Sequence, residues 1–286
     1  VNAGNSIASG GNYNTVVGDE AGTAITTGDY NTAVGMNALI ATTTAASNTA
    51  LGFKALYANI TGASNTAVGT NSLDANTTGA SNVAVGQSAL GGNTTASENT
   101  AVGANALAAN TTGDLNVAIG GNALQSNVAG DRAVAIGYQA LAVQNPSGNV
   151  DTYNVAIGLN SQSNTTTGVH NVAVGGASLA ANTTASNNTA VGTSALGANT
   201  TASNNTAVGF EALRLNTTGQ YNVAMGAYAL DSNTTADDNT ALGTSALSAN
   251  TTGASNTALG ADSLSANTTA SNNTAVGKGS MLRNTT

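Results

Sequence analysis

Residues able to do acid–base, nucleophilic or metal chemistry are few and scattered in this chain. His170 is the only histidine, there is no cysteine, and the 13 acidic residues include just two adjacent pairs, Asp19-Glu20 and Asp237-Asp238. Without cysteine there is no disulfide, no thiolate metal ligand and no cysteine nucleophile. Neither acidic pair has the alternating ligand spacing of a calcium loop. The sequence therefore predicts no catalytic residue, no metal site and no cofactor, and we expect a protein that is not an enzyme.

The commonest motif of defined chemistry is Asn-x-Thr, the acceptor sequence for N-linked glycans. The candidate acceptor residues are Asn59, Asn76, Asn93, Asn110, Asn164, Asn182, Asn199, Asn216, Asn233, Asn250, Asn267 and Asn284. In a cell with an oligosaccharyltransferase, these residues would carry a row of glycans. Alternatively, the Asn and Thr side chains form hydrogen-bonded ladders that stabilise a turn, and repetition of the turn multiplies the motif.

The Thr-Thr pairs that follow most of these asparagines point to a different class of function. Regularly spaced threonines on a flat face are how some ice-binding proteins present an ordered array. Two features count against such an array, because the residues beside the pairs vary and the pairs follow a turn signal. An ice-binding solenoid is kept as the alternative to the function reached below.

The elements that position these residues follow from self-similarity along the chain. Residues 65–81 form one 17-residue unit, and equivalent units start at positions 14, 31, 48, 65, 82, 99, 116, 133, 154, 171, 188, 205, 222, 239, 256 and 273. Only the step from 133 to 154 is longer than the others, by a four-residue insertion. We number the positions of the unit as columns 1–17, so that Asn65 is in column 1 and Ser81 in column 17.

Each column keeps one type of residue. Column 1 is Asn except for Ala133, column 2 is Thr or Val, column 3 is Ala except for Val16, column 4 is aliphatic, and column 5 is always Gly. Columns 1–5 predict a short strand that ends in a glycine corner, and the Asn-Thr-Thr of columns 12–14 predicts a second turn. Column 9 is Leu in 13 of the 16 units. Columns 6–11 fit either a second strand or a single helical turn, because six residues are too few to hold a helix unaided.

A 17-residue unit cannot bury its own apolar side chains, so successive units must stack and share backbone hydrogen bonds. The sequence thus predicts an all-β fold, a parallel β-solenoid or β-roll with 17-residue coils. We expect a single repeat array over residues 1–286, with about 16 coils at about 4.8 Å each, on the order of 75 Å long.

The predicted strand is apolar on both of its faces, because the Ala of column 3 lies opposite the aliphatic residue of column 4. A free-standing solenoid normally turns polar residues outward. We therefore expect a second copy of the chain to pack against the Ala face, and a homotrimer is the preferred oligomer.

Irregularities in the array are the places where specific binding is expected. The four additional residues lie within Gln144, Asn145, Pro146, Ser147, Gly148, Asn149, Val150 and Asp151. Pro and Gly predict a protruding loop there, and this segment is a candidate binding loop. Column 17 holds four of the seven tyrosines, Tyr13, Tyr30, Tyr153 and Tyr221. These rings either bind carbohydrate or pack at a corner of the coil.

Composition and charge exclude two classes of partner. The chain has only five Lys and Arg and a net charge of −8. Nucleic acid binding needs a basic patch, which five scattered cations cannot form. The sequence has no apolar run long enough to span a bilayer, so membrane insertion is not expected.

The segments Asn116-Val117-Ala118-Ile119-Gly120, Ala133-Val134-Ala135-Ile136-Gly137 and Asn154-Val155-Ala156-Ile157-Gly158 resemble the head repeats of trimeric autotransporter adhesins, the YadA-like, haemagglutinin-type repeat. The whole unit also resembles repeats of tail-fibre-like proteins of phages and bacteria. The resemblance implies a trimeric, extracellular or virion-borne β-roll used for attachment. This unit is longer than the usual one of the adhesin family, and a coiled-coil stalk and a membrane anchor are not apparent.

The sequence thus favours a structural fibre, filament or adhesin shaft that mediates attachment or surface assembly. Its expected location is extracellular, on a cell-surface appendage or on a virion. The expected partners are copies of itself, end-to-end polymers included, together with a cell-surface glycan or host receptor. Because neither end of the array has a capping unit, we expect the chain to be part of a longer fibre.

Overall fold

The computed structural model describes residues 2–5, 7 and 10–285, and every regular element formed by these residues is a β-strand. Sixteen short strands occupy columns 2–4 of the units, and two still shorter strands accompany the four-residue insertion. Their bounds are β1 Thr15–Val17, β2 Thr32–Val34, β3 Thr49–Leu51, β4 Thr66–Val68, β5 Val83–Val85, β6 Thr100–Val102, β7 Val117–Ile119, β8 Gly130–Asp131, β9 Val134–Ile136, β10 Val150–Asp151, β11 Val155–Ile157, β12 Val172–Val174, β13 Thr189–Val191, β14 Thr206–Val208, β15 Val223–Met225, β16 Thr240–Leu242, β17 Thr257–Leu259 and β18 Thr274–Val276.

The chain divides into two compact units, Val1–Thr152 and Tyr153–Thr286. In the first, β1–β7 and β9 follow one another in a parallel sheet, while β8 pairs with β10. In the second, β11–β18 form a parallel sheet in chain order. Like columns pair throughout, as when Ala67 lies opposite Ala84. Each unit is therefore a parallel β-solenoid of 17-residue coils, which confirms the predicted fold class.

The interior of each coil is thin and is filled by small residues and one leucine. Ala67, Ser72 and Leu73, from columns 3, 8 and 9, are fully buried, and the same columns are buried in nearly every coil. The Asn side chains of columns 1 and 12 are also buried, among them Asn65 and Asn76. A polar layer therefore flanks the leucine row on the inside of the coil.

The expectation that the Ala face of the strand packs against a second copy is wrong. The alanines of column 3 point into their own coil, where Ala67 and Ala84 have no exposed surface. The aliphatic residues of column 4 face outward instead, with Leu51 46% and Leu242 42% exposed. Size decides between the two faces, because a coil this narrow accepts a methyl group at the strand centre but not a larger side chain.

Columns 6–11 form neither a second strand nor a helical turn, and residues 2–5, 7 and 10–285 contain no helix. The backbone there alternates in hand, since Asn71 in column 7 and Leu73 in column 9 both have positive φ, at 54° and 50°. Left-handed residues at alternate positions are incompatible with a right-handed helix. Among the described residues, accordingly, none lies in a helix that could cross a bilayer.

The column 5 glycines make the corner that ends each strand. Gly69 has a φ of 133°, and a Cβ at this residue would lie 2.6 Å from the carbonyl oxygen of Gly86 in the next coil. Both the positive φ and the close approach of the two backbones exclude a side chain here. This corner separates the strand from the surface formed by columns 6–11.

Candidate interaction surfaces

The first candidate surface is the outward side of the strands, formed by columns 2 and 4 and called here the sheet face. Column 2 supplies Thr or Val, and column 4 supplies Val, Leu, Ile or Met, as in Leu242 and Leu259, each 42% exposed. No charged residue occurs in either column. Each solenoid unit therefore presents an uncharged row of hydroxyl and methyl groups beside an aliphatic row.

The second feature is the pair of buried Asn ladders. In column 12, Asn76 donates one Nδ2 hydrogen bond to Asn59 Oδ1 at 2.8 Å and another to the carbonyl of Gly79 at 3.0 Å. Its own Oδ1 accepts from Asn93 Nδ2 at 2.8 Å. Column 1 makes an equivalent ladder, in which Asn65 Oδ1 accepts the backbone N–H of Asn82 at 3.0 Å. The side-chain amides thus cross-link consecutive coils.

This ladder bears directly on the glycosylation candidates. Ten of the twelve lie in it and are fully buried: Asn59, Asn76, Asn93, Asn110, Asn182, Asn199, Asn216, Asn233, Asn250 and Asn267. A glycan needs space at Nδ2 and leaves one proton there, whereas both protons are used where the ladder is complete. Asn164 is exposed and Asn284 is half-buried. At the ten buried positions the geometry supports the hydrogen-bonded ladder and leaves no exit for a glycan.

The Thr-Thr pairs divide into a bonded row and an exposed row. In column 13, Thr77 Oγ1 donates to the carbonyl of Thr94, one coil on, at 2.9 Å. In column 14 the threonines are exposed, and those of the second unit run without interruption from Thr167 to Thr269. The second row is therefore an ordered array of surface hydroxyl and methyl groups at the spacing of the coils.

The candidate binding loop, residues 144–151, lies against the preceding coils and does not project freely. Pro146 is buried, and a Cβ on Gly130 would lie 3.0 Å from its ring. Thr112 Oγ1 donates to Asn149 Oδ1 at 3.1 Å, and Arg132 pairs with Asp151. The exposed residues of the loop are Asn145, 147–149 and Asp151, and contacts with the preceding coils hold Asn149 and Asp151.

The charged side chains all lie outside columns 1–5 of the repeat, and Asp131 and Asp151 lie in the short strands β8 and β10. Burial, followed by repulsion from Asp114 and Asp151, raises the pKa of Asp131, while its backbone hydrogen bond and Arg132 oppose the shift. Burial also raises the pKa of Asp74. Within the described part of the chain, no three acidic or histidine residues come together in a way that would hold a metal ion.

Column 17 carries exposed aromatic rings at a strained backbone position. Tyr13 and Tyr30 stack with ring centroids 5.0 Å apart and planes 6° apart, and Tyr153 stacks on His170 at 5.6 Å. Tyr13 is 77% exposed, and Tyr221 is 59% exposed. Tyr13 and Tyr221 are thus largely exposed, while Tyr13 with Tyr30 and Tyr153 with His170 pack ring on ring at this corner.

No protein-family model matches this chain, and no curated protein is significantly similar to it. Sequence reasoning missed the sheet face, because alternation along so short a strand does not tell which side points inward. The complete lack of charge in columns 2 and 4 was the signal that pointed to it.

Proposed function

We propose that this chain is the structural shaft of a fibre, filament or adhesin that associates with copies of itself through the sheet face and does no catalysis. The observation that carries this proposal is the uncharged aliphatic row along the outside of each solenoid unit. Leu51, Met225 and Leu242 are exposed there by 46%, 41% and 42%. Contiguous apolar surface of this kind marks interaction sites in soluble proteins.

A second copy of the chain is the partner that fits this surface best. The row repeats once per coil, at about 4.8 Å. A partner that matches it over many coils needs the same repeat distance, which another copy has by construction. The absence of charge in columns 2 and 4 means that no ion loses its hydration when two such faces meet.

The area of the sheet face of one unit can be compared with that of known protein interfaces. A strand of this length covers about 10 Å, and a coil covers about 4.8 Å in the other direction, so each coil offers about 50 Å². The eight coils of one unit offer about 400 Å², which is about half of the area that one partner contributes to a standard interface.

The trimer and the location outside a cell or on a virion come from the resemblance to adhesin and tail-fibre repeats. In a trimer the sheet faces of three chains would turn toward one axis, which leaves columns 6–17 free for attachment to a glycan or host receptor. Such a closed ring satisfies the apolar face of every copy.

Mass photometry of the wild-type chain and two double variants tests the proposal. L242K/L259K places two charges on the sheet face, and T252K/T269K places the same charges in column 14 of the same two coils. We expect wild type and T252K/T269K at the mass of a trimer and L242K/L259K at the mass of a single chain. A wild-type chain that stays at the monomer mass at micromolar concentration would overturn self-association.

The exposed Thr row of column 14 favours a second candidate function, ice binding. Seven consecutive coils of the second unit present an exposed, uncharged Thr at this column, from Thr167 to Thr269. A thermal-hysteresis assay decides this alternative, with T201K/T218K as the variant that interrupts the row. Ice binding requires hysteresis in the wild type and its loss in the variant.

A further inference from the structure

Column 17 is the part of the molecule whose aromatic residues the fold itself does not require. Every described unit has a positive φ there, for example 59° at Tyr30 and 58° at Tyr221. This conformation costs a residue with a side chain about 1–2 kcal/mol, least for Asn and Asp. Other coils meet the requirement with Ser47, Asn187 or Asn204. Tyr13, Tyr30 and Tyr221 remain 77%, 61% and 59% exposed, so they gain little burial in return.

The column 17 rings of Tyr13 and Tyr30 are exposed, and each ring turns its faces toward the neighbouring coils. The ring planes of Tyr13 and Tyr30 are nearly parallel, at an angle of 6°. The ring centroids are 5.0 Å apart, which is about the spacing of one coil. One face of Tyr30 is therefore covered by Tyr13, and the other is directed toward Ser47 of the next coil. Tyr221 lies between Asn204 and Asp238, neither of which is aromatic. Each of these rings has a face that only a small polar residue adjoins.

A carboxylate precedes Tyr30 in column 16, and another lies one coil beyond Tyr221 in the same column. Asp29 Oδ1 accepts the backbone N–H of Asn12, and Asp237 Oδ1 accepts that of Gln220, both at 2.7 Å. These bonds orient each carboxylate beside a ring, and a carboxylate has acceptor capacity beyond a single bond. An apolar ring face next to an oriented acceptor is the arrangement that binds a sugar, which has an apolar face of C–H groups and hydroxyl donors at its edge.

The charge of this edge selects among sugars. Columns 16 and 17 contain Asp29, Glu98, Asp114, Asp131, Asp237 and Asp238, and Arg132 is the one Lys or Arg in these columns. Acidic polysaccharides would be repelled by this edge. Neutral glycans would not be.

We propose that the aromatic residues of column 17 are binding platforms for a neutral glycan. Tyr13 with Tyr30 forms one platform, Tyr153 with His170 a second, and Tyr221 a third. His170 and Tyr221 are three coils apart in the second unit, about 14 Å, so a chain of several sugar residues would contact both. The proposal names the ligand class for the attachment role and rests on that part of the proposed function, whereas self-association uses the separate sheet face.

Affinity electrophoresis of the full chain in gels that contain glucomannan, xylan, hydroxyethylcellulose or polygalacturonate tests the proposal. We expect at least one neutral polysaccharide to retard the wild type and the acidic polygalacturonate not to. The variants Y30S and Y221S introduce the residue that Ser47 supplies at the same column. Each should weaken binding about tenfold, the equivalent of about 1.4 kcal/mol for one lost platform.

Two controls keep the outcome decisive. Y138T changes a tyrosine that is 52% exposed in column 6 to the residue found there at Thr70, and it should bind as wild type does. Y30F and Y221F keep the ring face and should also bind. Retardation by no neutral polysaccharide, retardation only by polygalacturonate, or an equal loss in Y138T would overturn the proposal. Mass photometry of Y221S reports self-association separately, and its oligomer should be unchanged.

Discussion

The side-chain oxygen of Asn188 accepts the backbone N–H of Asn205, one coil further along the chain, at 2.9 Å. Asn205 in turn donates Nδ2 to the carbonyl of Gly219 at 2.9 Å, and its Oδ1 accepts the backbone N–H of Asn222 at 2.9 Å. A primary amide suits this position because it carries an acceptor and two donors on one small planar group. The buried polar ladder is therefore part of what joins one coil to the next.

Replacing one rung of this ladder by a carboxylate should unfold the coils around it. In N205D the Oδ1 acceptor remains, but the two donors are lost and a charge faces the carbonyl of Gly219 in the interior. We expect a loss of about 3–5 kcal/mol in unfolding free energy at neutral pH. Thermal melting followed by circular dichroism measures it.

The matched control is the preceding residue. Asn204 is exposed in column 17, so N204D adds the same charge at the surface and should change stability by no more than about 0.5 kcal/mol. Equal melting temperatures for the two variants would contradict the buried position of Asn205.

The inward direction of the column 3 alanines has a direct mutational test. Ala207 is fully buried, so A207L should overpack the coil and cost about 1–3 kcal/mol of folding stability. The adjacent V208L enlarges the outward residue of column 4 and should be close to neutral. Urea unfolding of both variants distinguishes them. An effect of A207L on oligomer mass alone would mean that the Ala face points outward after all.

The corner glycines should not tolerate even a methyl group. Gly209 has a φ of 139°, and a Cβ there would lie 2.5 Å from the carbonyl oxygen of Gly226. G209A should therefore lose at least about 3 kcal/mol locally, seen as faster amide hydrogen exchange in residues 206–226. At Gly176 an added Cβ meets nothing within 4 Å, so G176A should keep or slow the exchange rates of its coil. Faster exchange in both variants would point to a general intolerance of alanine.

The raised pKa of Asp131 implies that its charge opposes folding. A carboxyl whose pKa is higher in the folded chain than its usual 3.8 contributes most to the free energy of unfolding below pH 3.8. This contribution is lost as pH rises through the pKa of the folded chain. D131N keeps the oxygen that accepts the N–H of Asp114 at 2.7 Å and removes the charge. It should raise the melting temperature at pH 7 by the equivalent of at most about 0.5 kcal/mol, because solvent screens this group.

The pH dependence shows whether the higher melting temperature of D131N comes from removal of the charge or from another effect of the amide. The advantage of D131N over wild type should shrink as pH falls and vanish below pH 3.8. D237N removes a charge from an exposed position of the same column with the same kind of backbone bond, and it should change the melting temperature less. An advantage of D131N that persists well below that pH would reject the electrostatic explanation.

Some positions could be predicted from residue type alone and others could not. The invariant glycine of column 5 predicted a corner, and Gly69 confirms it, because only glycine combines this φ with so close a neighbouring backbone. Columns 6–11 gave no such signal. Leucine is a good helix former, yet Leu73 is held left-handed by its place in the stack, where its N–H bonds to Ala89 of the next coil at 3.0 Å. Tertiary hydrogen bonding outweighs the local preference there.

By itself, the amino-acid sequence determined the 17-residue period, the parallel in-register stacking and a strand within columns 1–5. These features follow from the spacing of residue types, which can be read from the sequence without knowing any contact. The tertiary structure decided which side of the strand is inside, that the Asn-x-Thr asparagines are mostly buried, and that the column 17 rings are exposed. In a three-residue strand, the alternation of side chains is compatible with either face pointing into the coil. The narrow width of the closed coil decides, because alanine fits inside and the larger residues must face outward.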